Sequence, residues 1–193
     1  MTDKGPIVER RYKTIVVDPP WEVLGGPRWA PNGKSQPLDY HTMSLNEIIG
    51  LPVRELADEG CHLYLWTINK YVREAYDIVR YWGFKPSTLL VWCKRPNGIG
   101  LGGTYSLTTE FVLFCRKGSC KSRERVDTTW WEWRRGRHSE KPQDFYNMVR
   151  VVSPGPYLDM FSRRCIPDFD LWGDEAPNHR QEVLPLANVG GQI

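Results

Sequence analysis

The chain has no apolar run approaching the 18 or so residues of a membrane span, and its first eleven residues carry no charged-then-apolar leader. Neither a membrane segment nor a secretory signal is therefore expected, which points to the cytoplasm. Cysteine is sparse, with 5 residues, an odd number, at positions 61, 93, 115, 120 and 165 and no C-x-x-C pair. That excludes a disulfide framework and a zinc knuckle and predicts buried thiols. Charge of one sign is also scarce: a net +3 is too little to argue for a nucleic-acid partner by itself. What is abundant is aromatic surface, with 9 Trp and 9 Tyr, and 40% hydrophobic residues in 193, enough for one domain with a substantial core. We expect a single domain over residues 1–176 and a loose tail over 177–193, where periodicity is lost.

Thr14-Ile15-Val16-Val17 reads as a buried strand that ends in Asp18-Pro19-Pro20-Trp21. Pro19 and Pro20 cannot continue a ladder, so the chain must turn at the strand's carboxyl edge, where open α/β sheets bind ligands. Residues 22–39 are rich in glycine and proline and read as a gate over that edge. Ser44-Leu45-Asn46-Glu47 is a capping box for a short helix that ends before Pro52 or continues to Leu56. Cys61–Trp66 predicts a strand, and Asn69 is placed to cap a helix whose apolar face is Tyr71, Val72, Ala75, Ile78, Val79 and Trp82, with Gly83 as its stop. Ser87–Cys93, Glu110–Arg116 and Tyr157–Phe161 read as further strands, and Pro142 as the first residue of a helix running to Val152. Strands alternating with helices predict an α/β fold, a mostly parallel sheet with helices on both faces and right-handed crossovers.

The turn's chemistry suits a flat base carrying an amino group. An exocyclic amine is a poor nucleophile because its lone pair is delocalised, and acceptors aimed at its two N–H bonds favour the reactive pyramidal form. Asp18 and the Pro19 carbonyl are such acceptors, and Trp21 offers a face for an extruded base. Gly98-Ile99-Gly100-Leu101-Gly102-Gly103 matches a dinucleotide fingerprint in letters alone. That motif must join a strand directly to a helix, whereas here Lys94–Asn97 intervenes and a β-branched, aromatic stretch follows, so a substrate-contacting loop is expected.

Taken in order, Asp18-Pro19-Pro20-Trp21, Tyr40-His41-Thr42-Met43, Leu63-Tyr64-Leu65-Trp66, Trp82-Gly83-Phe84, Val91-Trp92-Cys93-Lys94, His138-Ser139-Glu140-Lys141-Pro142 and Asp159-Met160-Phe161-Ser162-Arg163 resemble the MT-A70 family from Tyr12 to Glu175. The resemblance implies a Rossmann-like fold and adenine-N6 methylation with S-adenosylmethionine and no metal. It also implies the permuted motif order, catalytic turn first, with Asp18 rather than serine selecting adenine over cytosine. By position it assigns Asp18, Pro19, Pro20 and Trp21 to catalysis, and Tyr40, Glu110 and Trp66 to the target adenine. Four of these have a second reading: Trp21 as a core tryptophan after a proline-terminated strand, Tyr40 as an ordinary loop aromatic, Glu110 as a strand glutamate paired to Lys141, and Trp66 as core. For the cofactor it assigns Asp18 again, Lys141 to the methionine carboxylate, and Asp159, Phe161, Arg163, Asp174 and Glu175 to the remainder. Ser162 stands where many amino-methyltransferases have glycine, and the segment before Asp18 is short, so modest cofactor affinity is expected.

Basic residues cluster between Arg116 and Lys141, where Arg123, Arg125, Arg134, Arg135 and Arg137 interleave with Trp130, Trp131 and Trp133. That mixture predicts a phosphate track with stacking platforms, Arg135 and Arg137 lying closest to the substrate; the other reading is core tryptophans with a solvated arginine rim. The expected partner is nucleic acid, DNA before RNA, with a homodimer or heterodimer as the assembly and a bacterial or phage setting. The rival functions are a catalytically silent nucleic-acid-binding subunit and a cytosine-N4 methyltransferase.

Overall fold

Alternation along the central strands produces two cores back to back. Ile15 and Val17 face one side of the sheet and Val16 the other, and all three are fully buried. A strand covered on both faces is why this segment reads as an unbroken apolar run. In the computed structural model of the protein, residues 10–22, 42–94, 104–134 and 140–173 are described. Tyr40, Arg135, Arg137, Asp174 and Glu175 lie outside them, as do most of the expected gate, the glycine-rich stretch at 98–103 and the tail.

The strands are β1 (Tyr12–Val17), β2 (Ala57–Thr67), β3 (Lys85–Cys93), β4 (Thr109–Lys117), β5 (Trp130–Trp131), β6 (Tyr157–Met160) and β7 (Phe169–Trp172). They form one sheet in the order β5-β3-β4-β2-β1-β6-β7. β1 pairs in parallel with β2 and β6, β6 with β7, and β3 with β5, while β4 runs antiparallel to both β2 and β3. The helices are α1 (Leu45–Ile49), α2 (Val53–Leu56), α3 (Val72–Tyr81) and α4 (Gln143–Val152). Ala75, Ile78 and Val79 of α3 join Ile15, Val17, Leu63 and Leu65 in one core. Phe145, Tyr146 and Val149 of α4 join Val16, Tyr64 and Trp66 in the other. Each such side chain contributes about 1.5–3 kcal/mol of burial. The result is the α/β, mostly parallel, Rossmann-like sheet that the sequence predicts.

The capping box of Ser44 and Glu47 forms and its helix ends at Ile49, before Pro52, as expected, while a separate short helix with Pro52 as its N-cap covers Val53–Leu56. Several other local expectations are corrected. Asn69 opens a 3-10 turn, Asn69–Tyr71, and caps nothing: α3 has Tyr71 at its N-cap with no side-chain bond. Pro142 is the N-cap of α4 and Gln143 its first residue. β6 ends at Met160 because Phe161 swings to φ 75°. Gly83 does end α3, at φ 84°, donating to Arg80 O at 2.9 Å, and Phe84 donates to Val79 O. All five thiols are free, but only Cys61 and Cys115 are buried, and Cys165 is exposed.

Candidate active site

β1 delivers Asp18 to the edge of the sheet. The Asp18 amide donates to Met160 O at 3.2 Å, prolonging the β1–β6 ladder by one residue before the prolines stop it. The turn then closes on itself: Trp21 N–H donates to Pro19 O and Met43 N–H to Pro20 O, both at 2.8 Å. One lone pair of the Pro19 carbonyl is thereby used and one is left for a substrate N–H.

The Asp18 carboxylate meets Lys141, which leads into α4, at 3.0 Å from Nζ to Oδ1. The same ammonium lies 3.0 Å from Glu110 Oε2 on β4, and Lys94, just past β3, takes Glu110 Oε1. β4 is antiparallel to its neighbours, so its first residues stand at the same edge as the last residues of β1, β2 and β3. That is how Glu110 and Lys94 reach Asp18. Of the two readings of Glu110 left open by the sequence, the structure shows the pairing with Lys141. Lys141, assigned by the resemblance to the cofactor carboxylate, is held by two carboxylates, and its ammonium also lies 4.7 Å from the centre of the Trp66 ring. Lys94 was missed as a site residue, although it ends a quoted motif, because only the β3–β4 register brings it to Glu110.

The site divides its protons unevenly. Burial opposes the charge on Glu110, but Lys141 and Lys94 outweigh it and hold the carboxyl down at about 2. Burial likewise opposes the Lys141 charge, and Asp18 and Glu110 outweigh it, so its ammonium is held more firmly than usual. Asp18 moves the other way: burial and the neighbouring Glu110 raise its proton affinity, against the pull of Lys141 and Arg163. Beneath it Asp159, in β6, is buried and pushed up to about 8, chiefly by desolvation, and the nearby Tyr146 hydroxyl does not offset this. Asp159 Oδ2 has no hydrogen-bond partner. Arg163 is exposed just beyond β6, and Phe161 N–H donates to Trp172 O at 2.7 Å.

Two tryptophans take the core reading over the substrate one. Trp21 is 5% exposed, stacked on Tyr71 at 5.1 Å and 20°, with its Nε1–H donating to Trp66 O at 2.9 Å. It clamps the turn to the end of β2 and is no open platform for a base. Trp66 is 1% exposed and packs edge-on to Trp92 and Phe145, the core role, with Lys141 over its face. The arginine–tryptophan segment shares out both of its readings. Trp131 and Trp133 stack on each other at 4.9 Å, and the Trp133 carbonyl accepts the Trp92 N–H while its ring lies against the α4 core. Trp130 is 55% exposed, and Arg123, Arg125 and Arg134 are exposed, with Arg125 paired to Asp127. Among the described residues no group of three or more His, Cys, Asp or Glu could hold a metal ion, and no helix is long and apolar enough to cross a membrane.

A Rossmann-like sheet with an acidic turn at the carboxyl end of an inner strand places its ligand site at that edge. The MT-A70 family model matches residues 12–175, and the chain belongs to the MT-A70 family of methyltransferases. It is 27% identical over 193 residues to the Type II methyltransferase M.MunI of Mycoplasma sp, covering 90% of this chain and 82% of that one. It is 26% identical to an N(6)-adenosine-methyltransferase MT-A70-like protein of Drosophila melanogaster, over 79% of this chain and 24% of that one. To the N(6)-adenosine-methyltransferase catalytic subunit METTL3 of Homo sapiens it is 24% identical, over 79% of this chain and 26% of that one.

Proposed function

We propose that the protein methylates the N6 amine of adenine in nucleic acid, DNA in preference to RNA, with S-adenosylmethionine as donor. The observation that carries this reading is Asp18 at the end of β1, presented beside the prolines with its Oδ1 held by Lys141. Asp18 accepts one amine N–H, and the second lone pair of the Pro19 carbonyl accepts the other, so the nitrogen is held pyramidal as positive charge develops on it. Asp18, with its raised proton affinity, or solvent takes the proton that the nitrogen sheds. Orienting the reactants supplies the rest of the rate.

The residues present fit the donor. A sulfonium carrying an ammonium is cationic and brings N–H donors, and the edge offers the Asp18 carboxylate and, as a neutral acceptor, the unpartnered Oδ2 of Asp159. Bound there, the donor supplies an electrophilic methyl group. Asp159, Phe161 and Arg163 at the end of β6 would hold it, with Asp174 and Glu175, outside the described residues, completing the set. DNA is favoured because the match to the Type II methyltransferase covers 82% of that protein, whereas the relatives named for adenosine, a ribonucleoside, are covered over 24% and 26%.

Mass spectrometry of nucleosides from DNA and RNA incubated with the protein and S-adenosylmethionine tests this. N6-methyladenine in DNA is the expected product. N4-methylcytosine would overturn the choice of base, methylation of RNA alone the choice of polymer, and cofactor binding without any product would favour the silent subunit.

A further inference from the structure

The carboxylates and ammoniums at the site form a line rather than a cluster: Lys94, Glu110, Lys141, Asp18. Each oxygen of Glu110 takes a different lysine, and Lys141 is shared between Glu110 and Asp18 at equal distances of 3.0 Å. Signs alternate along the line and sum to zero. Side-chain exposure is 19% at Lys94, 18% at Glu110 and 13% at Lys141, against 26% at Asp18, so solvent screens the links weakly and the line opens only where a substrate would arrive. Lys94 itself is fixed from behind: its amide donates to Thr108 O at 2.9 Å, and its ammonium lies 5.7 Å from the centre of the buried Trp92 ring.

We infer that Lys94 is a positioning residue for the reaction: by holding one oxygen of Glu110 it leaves the other to Lys141, and so sets how fully Lys141 serves Asp18. Were Lys94 absent, Glu110 would be a carboxylate with a single cation, and it would draw Lys141 away from Asp18. Asp18 would then bind its proton more tightly and reach a substrate amine as an acid at a pH where it must be an acceptor. Were Glu110 neutral instead, Lys141 would belong to Asp18 alone, and Asp18 would ionise more readily. The other groups facing Asp18 are Arg163 just past β6, Asp159 in β6 and Tyr146 in α4.

The inference rests on the methyl-transfer reading for its consequence, but its test does not. In protein labelled with 13C at the aspartate carboxyls, the Asp18 resonance, assigned by its loss in Asp18→Asn, is titrated in the wild type and three variants. Lys94→Met is expected to move the Asp18 midpoint up by about 0.5 or more on the pH scale, less than the effect of a directly contacting charge. Lys94→Arg should restore it, and Glu110→Gln should move it down. Where the wild type turns over, the acid limb of its pH–rate profile should move with the midpoint. A midpoint unmoved by Lys94→Met, or one moved the same way by Glu110→Gln, overturns the inference. If Lys94→Met does not fold, Glu110→Gln decides alone, because an unmoved or raised midpoint there breaks the line. Wild-type protein that makes no methylated base while the midpoints shift as stated would defeat the proposed function and leave the positioning role standing.

Discussion

Asp159 shows at the scale of one residue how a site can cost stability. Its carboxyl titrates at about 8 in the fold, against an ordinary value of 3.8, because burial disfavours its charge. Between those values the folded protein keeps a proton that the unfolded chain releases, so stability falls as pH rises from about 4 to 8 and is level beyond. Asn cannot ionise and removes that dependence. Thermal denaturation of Asp159→Asn should therefore match the wild type near pH 4 and exceed it by several degrees at pH 8. A difference that does not change with pH would show that the wild-type carboxyl is charged throughout. The unpartnered Oδ2 at this position fits the expectation that strain and unmet polar groups gather where a ligand binds.

At the scale of elements, two turn glycines separate backbone strain from collision. Gly83 has φ 84°, and a Cβ there would meet only Arg54 Nε at 4.0 Å. Gly118, with φ 56°, would place a Cβ 2.1 Å from the Glu59 carbonyl oxygen. Gly83→Ala should cost about 1–2 kcal/mol, the strain of the left-handed conformation alone. Gly118→Ala should cost distinctly more, because backbone must move. Chemical denaturation ranks the two, and equal losses would contradict the account. These elements also show what a sequence can carry. Thr14–Val17 and the helix ending at Gly83 were legible because each is specified locally, by an apolar run or by period and stop. β5 and β7 were not: β5 has only two residues, Asp170 breaks the apolar run of β7, and each exists through its pairing with β3 or β6. The site divides in the same way. Asp18, Glu110 and Lys141 stand in recognisable words, whereas Lys94's partner and the burial of Trp21 and Trp66 depend on strand register and on packing from distant segments.

At the scale of the molecule, the Lys94 end of the charged line and β5 of the arginine–tryptophan segment lie on the same half of the sheet, since β5 pairs with β3 and Lys94 follows β3 directly. The exposed Trp130 and the exposed Arg134 four residues on suit a polyanion approaching from that side, whereas Arg123, whose amide donates to Val152 O at the C-terminal end of α4, stands away from it. Neutralising Arg134, but not Arg123, should weaken nucleic-acid binding and lower the slope of log affinity against log salt by about 0.7–0.9 for each phosphate that the variant no longer neutralises. Fluorescence anisotropy across a salt series measures this; an unaltered slope would make Arg134 part of a solvated rim.

The account turns on Asp18 as the acceptor that holds the amine, and the most direct measurement is the rate of N6-methyladenine formation by Asp18→Asn against the wild type, by nucleoside mass spectrometry, with folding checked by circular dichroism. A folded variant slowed by about 100-fold or more, the loss seen when one transition-state partner is removed, is the predicted result. A folded variant that methylates adenine at the wild-type rate would contradict it.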